Sequence, residues 1–105
     1  LVGRLGGDEF IVAQPVAGFE EGVVSANRVL SGLREHLELE FSETDIGVSG
    51  GLAVSDESLN ELSALINEAD SALLRAKADG QGNLEVSDRL EQARLRDIRD
   101  ADPVA

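Results

Sequence analysis

A pair of glycines, Gly6 and Gly7, separates two short apolar runs near the start of the chain, residues 1–5 and 10–14. Tight turns between adjacent strands often need positive φ angles, which glycine adopts without a steric penalty. The pattern therefore predicts a β-hairpin made from these two runs. Any fold of this chain must then place the two strands side by side, with the glycines at the turn.

Two longer segments have apolar residues at alternating steps of three and four positions, which is the spacing of an amphipathic helix. The apolar positions of the first helix are Phe19, Val23, Ala26, Leu30, Leu33 and Leu37. Those of the second helix are Leu59, Leu62, Ile66, Ala69, Leu73 and Ala76. Ser58 and Glu61 have the spacing of a capping box, which predicts the start of the second helix, and Gly80 predicts its end.

Alternating apolar and polar residues predict three further strands, at 37–41, 46–54 and 84–86. Gly50 and Gly51 interrupt the second of them, which indicates either a bulge or the close approach of another backbone. Helices and strands in this order predict an α+β fold with a mostly antiparallel sheet and helices packed on it. At 105 residues, the chain is one domain or part of one.

The chain has 21 acidic and 9 basic residues, a formal net charge of -12. Such a surface repels the phosphates of nucleic acids and of anionic lipids, so we expect no nucleic-acid partner and no direct membrane contact. The chain has no cysteine, which excludes disulfides and thiolate catalysis. No apolar run reaches the roughly 20 residues that cross a bilayer, and residues 1–20 do not show the pattern of a signal peptide, so we expect a cytoplasmic protein.

The predicted turn also carries adjacent carboxylates, Asp8 and Glu9. Successive side chains of a strand point to opposite faces, so only one of them can face a given ligand fully. One interpretation is a simple polar turn, because glycine and aspartate are common turn residues. The other is a divalent metal site, because Mg²⁺ takes one or two protein carboxylates together with phosphate oxygens.

Three sequence blocks favour the second interpretation. GGDEF, residues 6–10, with Arg4 two positions before it, VSGGLAV, residues 48–54, and EADSALLRAKADGQGN, residues 68–83, resemble the diguanylate cyclase family in content, order and spacing. The resemblance covers residues 1–87 as a partial GGDEF domain. It implies a fold like the palm of nucleotide cyclases. Residues 88–105 form a charged segment, predicted to be a solvated helix or linker.

The resemblance also implies an activity and a site. Two GTP molecules condense to cyclic di-GMP where two such domains meet face to face, with Mg²⁺ or Mn²⁺ as cofactor. By position in the motif, Asp8 resembles a metal ligand and the general base for the ribose 3′-hydroxyl, and Glu9 the supporting acid and metal ligand. Gly6 and Gly7 resemble the turn that admits the nucleotide. Lys77 is similar to the residue that meets the triphosphate.

The sequence departs from the family pattern in several places. The upstream half of the family's domain, with its first metal-binding aspartate, its phosphate-binding loop and its guanine-reading residues, has no counterpart among these residues, and the inhibitory product site would fall before Leu1. Gln81 stands where the family's closing motif has arginine, and Leu74 where it has tyrosine. We therefore expect that the N-terminal part of the domain is absent and that this chain is incomplete for catalysis.

Two functions remain open at this point. The first is a diguanylate cyclase module of a signalling protein. The second is a degenerate, non-catalytic GGDEF module that binds GTP or docks against a neighbouring domain. Exposed sheet edges left by the absent segment predict a homodimer or a strand-exchanged oligomer. The charged tail resembles linker helices between such domains and phosphodiesterase domains, so sensory or phosphodiesterase domains are the expected neighbours in the parent protein.

Overall fold

A computed structural model describes residues 1–40, 47–80 and 82–101 of the chain. Its helices are α1 (Phe19–Glu40), α2 (Leu62–Ala78) and α3 (Asp88–Ala101). Its strands are β1 (Val2–Gly6), β2 (Glu9–Val12), β3 (Gly50–Leu52) and β4 (Leu84–Val86). The predicted α+β class is confirmed. The described strands form two separate pairs, one antiparallel and one parallel.

The predicted N-terminal hairpin is confirmed, because β1 and β2 pair antiparallel, with Arg4 opposite Phe10 and Gly6 opposite Glu9. The register shifts between Arg4 and Gly6. The expected reason for the glycines is wrong: neither Gly6 nor Gly7 has a positive φ angle. The turn closes instead with ordinary backbone angles next to the irregularity in β1.

The second strand pair forms a β-α-β unit, in which β3 and β4 run parallel and α2 connects them. The alternating pattern over 46–54 predicted a longer strand than the three residues of β3, and Ile46 lies outside the described residues. The predicted strand 84–86 is confirmed as β4. After β4, the Ser87 amide donates to the Leu52 carbonyl at 2.9 Å, so the pairing continues to the start of α3.

The backbone of β3 lies directly against α2 at Gly51. A Cβ atom at this position would lie 2.1 Å from the Ala69 carbonyl oxygen and 2.5 Å from the Leu73 amide nitrogen. Both neighbours are main-chain atoms, which cannot swing away as a side chain could. The predicted close approach of another backbone is therefore confirmed, and only glycine fits here.

The buried core is small and aliphatic, and it lies between these elements. Its buried apolar residues are Leu30, Val54, Ala72, Ala76 and Leu90. Leu62, which the periodicity placed on the apolar face of α2, is 53% exposed because it lies in the first turn of that helix. Because the buried residues Ala72 and Ala76 of α2 have small side chains, the parallel strands can pack close to this helix.

The strand predicted at 37–41 is wrong for its described residues. Residues 37–40 form the end of α1, and Phe41 lies outside the described residues. The stretch alternates leucine and glutamate, both of which are good helix formers. Adding residues to an existing helix costs far less than starting a new element, so α1 continues through this stretch.

The predicted capping box is also wrong. Ser58 donates its hydroxyl to the Asp56 carboxylate at 2.6 Å, and Asp56 also accepts from the amides of Ser58 and Leu59. Because Asp56 organises this turn, α2 begins at Leu62, three residues after the predicted start at Leu59. Its N-cap residue, Glu61, makes no side-chain hydrogen bond. The predicted end of the helix is confirmed, since Gly80 has a φ angle of 109°.

Residues 88–101 of the charged tail form the helix α3, which is one of the two forms predicted for this segment. One side of α3 contacts the rest of the chain. Arg89 pairs with Glu68 of α2 at 2.8 Å, contacts Asp56, and donates to the Val54 carbonyl at 2.7 Å. The hydrogen bond to Glu68 raises the pKa of Arg89. Leu90, on the side of α3 that faces the core, is 5% exposed. The boundary at residue 87 stays a prediction.

No helix among residues 1–40, 47–80 and 82–101 is both long enough and apolar enough to cross a membrane.

We predict that Gly51→Ala lowers the free energy of unfolding by at least about 2 kcal/mol, because the added Cβ would collide with main-chain atoms of α2. Gly32→Ala is the matched control. A Cβ at Gly32 meets no atom within 4 Å, so alanine should stabilise α1 by about 0.5–1 kcal/mol. Urea unfolding followed by circular dichroism suits this chain, which lacks Trp and Tyr. Equal effects of the two substitutions would contradict the close contact.

We predict that Ser58→Ala raises the pKa of Asp56 toward its ordinary value of 3.8, because the Ser58 hydroxyl bond is the main reason that this pKa is lowered. A lowered carboxyl pKa contributes stability above the unfolded value, and that contribution is lost as pH falls through the folded value. The stability difference between the two proteins should therefore be constant above about pH 5 and shrink in more acidic solution.

Carbon-13 NMR titration of the Asp56 carboxyl measures this pKa directly. Ser63→Ala, at an exposed position in the first turn of α2, is the control and should leave the titration unchanged. An Asp56 pKa that is the same in Ser58→Ala and in the unsubstituted chain would contradict this account of the turn.

Candidate functional site

The end of the hairpin presents the two carboxylates of the candidate site. Asp8 lies in the turn and is exposed, and Glu9 is the first residue of β2 and is half-buried. Arg4 holds this turn from β1, donating from Nε and Nη2 to the Gly7 carbonyl at 3.1 and 2.8 Å. The turn that carries Asp8 is therefore braced by a side chain of its own hairpin.

Lys77 reaches this hairpin from the last turn of α2. Its Nζ atom lies 3.5 Å from Oε1 of Glu9, although 68 positions separate the two residues in the sequence. The Lys77 and Glu9 side chains are 41% and 36% exposed, so solvent and ligands can reach both. The structure thus brings together two of the residues that the sequence analysis selected.

The space around the two glycines of the motif is open. A Cβ atom built on Gly6 or on Gly7 meets no other atom within 4 Å. Contacts inside the protein therefore do not require glycine at either position. Their predicted role, to let a nucleotide approach the backbone, stays a prediction.

The donor set at the hairpin suits a metal ion that is also held by phosphate. Within the described part of the chain, no group of three or more His, Cys, Asp or Glu side chains could hold a metal. Mg²⁺ typically takes one or two protein carboxylates while substrate phosphates and water complete its octahedron, and the carboxylates available here are those of Asp8 in the turn and Glu9 at the start of β2. The residues present fit Mg²⁺ or Mn²⁺ bound together with a nucleotide, and they do not form a cage made of protein alone.

Sequence reasoning missed the residues that hold the loop after α2. Arg34 of α1 donates to the Gly82 carbonyl, and the Gly82 amide donates to Ser49 Oγ at 3.2 Å. Arg34 is half-buried on α1, and helical periodicity cannot name a partner that lies 48 positions away. Gln81, the expected departure from the family pattern, lies outside the described residues.

Comparison with known protein families gives one match over most of the chain. The sequence model described as "Diguanylate cyclase, GGDEF domain" matches residues 1–83. This range contains the hairpin, both carboxylates, Lys77 and the β-α-β unit up to the start of β4.

Several curated proteins are similar to the chain. An uncharacterized signaling protein of Caulobacter vibrioides is 34% identical in an alignment that covers 91% of this chain and 13% of that protein. The cyclic di-GMP phosphodiesterase PdeR of Escherichia coli K12 is 33% identical over 78% of this chain and 12% of its own length. The probable diguanylate cyclase DgcE of the same strain is 29% identical over 82% of this chain and 8% of its own length.

The chain therefore spans about an eighth or less of the length of these three relatives. No solved structure is a significant match to the chain. The family match over residues 1–83, together with the hairpin and the contact between Glu9 and Lys77, gives one conclusion. The chain belongs to the family of diguanylate cyclase GGDEF domains.

Proposed function

We propose that this chain is part of a diguanylate cyclase domain in a cyclic di-GMP signalling protein, where it contributes a metal-binding hairpin and a phosphate-binding lysine. The contact between Glu9 and Lys77 carries the proposal. This contact places a carboxylate suited to a metal ion, that of Glu9, beside an ammonium group suited to a phosphate, that of Lys77, and both side chains are accessible to solvent. A hairpin that served only as a polar turn would not need a cation supplied by a distant helix.

The proposed reaction joins two GTP molecules through two phosphodiester bonds. In each half, the 3′-oxygen of one ribose attacks the α-phosphorus of the other GTP, the bond from that phosphorus to the bridging oxygen breaks, and pyrophosphate leaves. Asp8 is the candidate base that takes the hydroxyl proton, and Glu9 supports it. Lys77 would offset the negative charge of the triphosphate.

A bound Mg²⁺ or Mn²⁺ ion would neutralise phosphate charge and lower the pKa of a coordinated oxygen. Asp8 and Glu9 are the residues that would hold it. The net charge of -12 gives this requirement physical weight, because a highly anionic chain binds an anionic nucleotide poorly unless cations intervene.

The condensation of two nucleotides calls for two domains, so we propose a homodimer or strand-exchanged oligomer. Apolar exposure on the hairpin supports this: Val2 and Phe10 are 73% and 66% exposed. Neither β1 nor β2 pairs with any other described strand. Unpaired edges that carry apolar side chains favour association with another chain.

We further propose that the parent protein joins this domain to sensory or phosphodiesterase domains, in the cytoplasm where GTP is available. The proposed domain comprises residues 1–87, and residues 88–105 form the segment that leads to a neighbour. The name of PdeR, a cyclic di-GMP phosphodiesterase that contains a region similar to this chain, supports such an arrangement. The contacts of Arg89 would couple the leading helix to the domain.

The second candidate is a non-catalytic module that binds GTP or docks a neighbouring domain. One observation favours it: the described residues offer two carboxylates at the hairpin and no cluster of three metal-binding side chains. A site this sparse can hold a metal–nucleotide complex without arranging the attack of one nucleotide on another.

Asp8→Ala tests the proposed site. We expect the chain to bind GTP in the presence of Mg²⁺, and we expect the substitution to weaken this binding by at least about tenfold, because a charge-assisted contact to the metal is lost. The free energy of unfolding should change by less than about 0.5 kcal/mol, since Asp8 is an exposed turn residue. Asp97→Ala, on the exposed side of α3, is the matched control. Isothermal titration calorimetry that shows equal binding by Asp8→Ala would contradict the site.

Mass spectrometry of the same mixtures separates the two candidate functions. The chain alone should give no cyclic di-GMP, and the parent protein with its upstream segment should give it, with the product lost in Asp8→Ala. A parent protein that binds GTP with Mg²⁺ and forms no product would establish the non-catalytic module instead.

We predict that the chain is an oligomer in solution, and that Val2→Lys weakens it because a lysine on an exposed strand disfavours edge-to-edge association. Leu95→Lys is the control, since Leu95 is 52% exposed and belongs to α3, not to either hairpin strand. Small-angle scattering with light scattering measures the mass. A monodisperse monomer of the unsubstituted chain would contradict the proposal.

A further inference from the structure

Lys77 is the only lysine of the chain, and its ammonium group forms an ion pair with Glu9, one of the two residues proposed to bind the metal. Among the described residues, this ion pair is also the one side-chain hydrogen bond between the hairpin strands and another element. The proposed function gives each partner a different ligand, the metal for Glu9 and the triphosphate for Lys77. Without those ligands, each partner neutralises the other.

This arrangement has opposite effects on single ligands and on the complete complex. The ammonium group of Lys77 reduces the attraction of Glu9 for a cation, and Glu9 reduces the attraction of Lys77 for an anion. A metal–nucleotide complex supplies both ligands together, so one ion pair is exchanged for two. The pair is exposed and therefore weak, which makes this exchange easy.

We propose that the Glu9–Lys77 ion pair is an exchange latch, which makes the site select the metal–nucleotide complex over free metal and over free nucleotide. The inference rests on the proposed function and adds a regulatory property to the same site. In thermodynamic terms, metal and nucleotide bind with positive coupling, and each raises the affinity for the other. When the complex binds, the latch also releases the hairpin from α2.

Lys77→Gln provides a test in which two affinities move in opposite directions. Binding of Mn²⁺ alone, measured by water-proton relaxation, should become about three- to tenfold tighter, because a competing positive charge is removed. Binding of GTP in the presence of Mn²⁺ should become about tenfold weaker or more, because the phosphate loses its cation. Arg96→Gln removes the same charge from an exposed position on α3 and should change either affinity by less than about twofold.

Glu9→Gln tests the other half of the latch and does not depend on the folding of the first variant. Binding of GTP in EDTA should become about three- to tenfold tighter, because Lys77 loses its competing carboxylate. Selective nitrogen-15 labelling of lysine gives one signal, whose Nζ shift should change when GTP and Mn²⁺ are added together to the unsubstituted chain.

The outcomes distinguish the latch from the proposed function beneath it. If the unsubstituted chain binds neither Mn²⁺ nor GTP with Mn²⁺, the proposed function fails and the latch fails with it. If that chain binds GTP with Mn²⁺, but Lys77→Gln weakens or leaves unchanged the binding of Mn²⁺ alone, the site stands and the latch is overturned. Opposite shifts of the two affinities support it.

Discussion

The contact between the β3 backbone and α2 at Gly51 sets how closely this strand and this helix pack. A Cβ atom at Gly51 would overlap main-chain atoms of α2, so the backbone of β3 lies in direct contact with the backbone of the helix. Ala72 and Ala76, fully buried on α2, extend this close packing along the helix. A helix held in this way has little freedom to rotate or slide, because interiors packed at this density resist displacement.

The candidate site is one consequence of that fixed helix. Lys77 lies in its last turn, and the ammonium group meets Glu9 at the end of the hairpin. The hairpin itself is held locally, by its own strand pairing and by Arg4 on the Gly7 carbonyl. A rigid helix end thus faces a hairpin that is bound to it weakly, and such an arrangement suits a site that must exchange one set of partners for another. In a chain with 21 acidic and 9 basic residues, the single lysine supplies a positive charge at this position.

Local patterns predicted those elements whose causes are local. The hairpin, the end of α2 at Gly80 and the strand 84–86 depend on short sequence signals, and the structure confirms them. The strand predicted at 37–41 was wrong for residues 37–40 because α1 continues through them. The capping box at Ser58 was wrong because the Ser58 hydroxyl donates to Asp56 instead. Arg89 and its partners could not be predicted, since no periodicity states which residue a cation meets across the fold. The choice of Lys77 as a site residue came from the family resemblance, and its contact with Glu9 was not predicted.

A crystal structure of the chain with Mn²⁺ and a non-hydrolysable GTP analogue would test the proposed site, because anomalous scattering locates the metal. We predict a manganese peak bound by the carboxylates of Asp8 and Glu9 and by phosphate oxygens, with Lys77 turned from Glu9 onto the triphosphate. Manganese at another position would contradict the proposed metal site, and a nucleotide bound with the Glu9–Lys77 pair still intact would contradict the exchange latch.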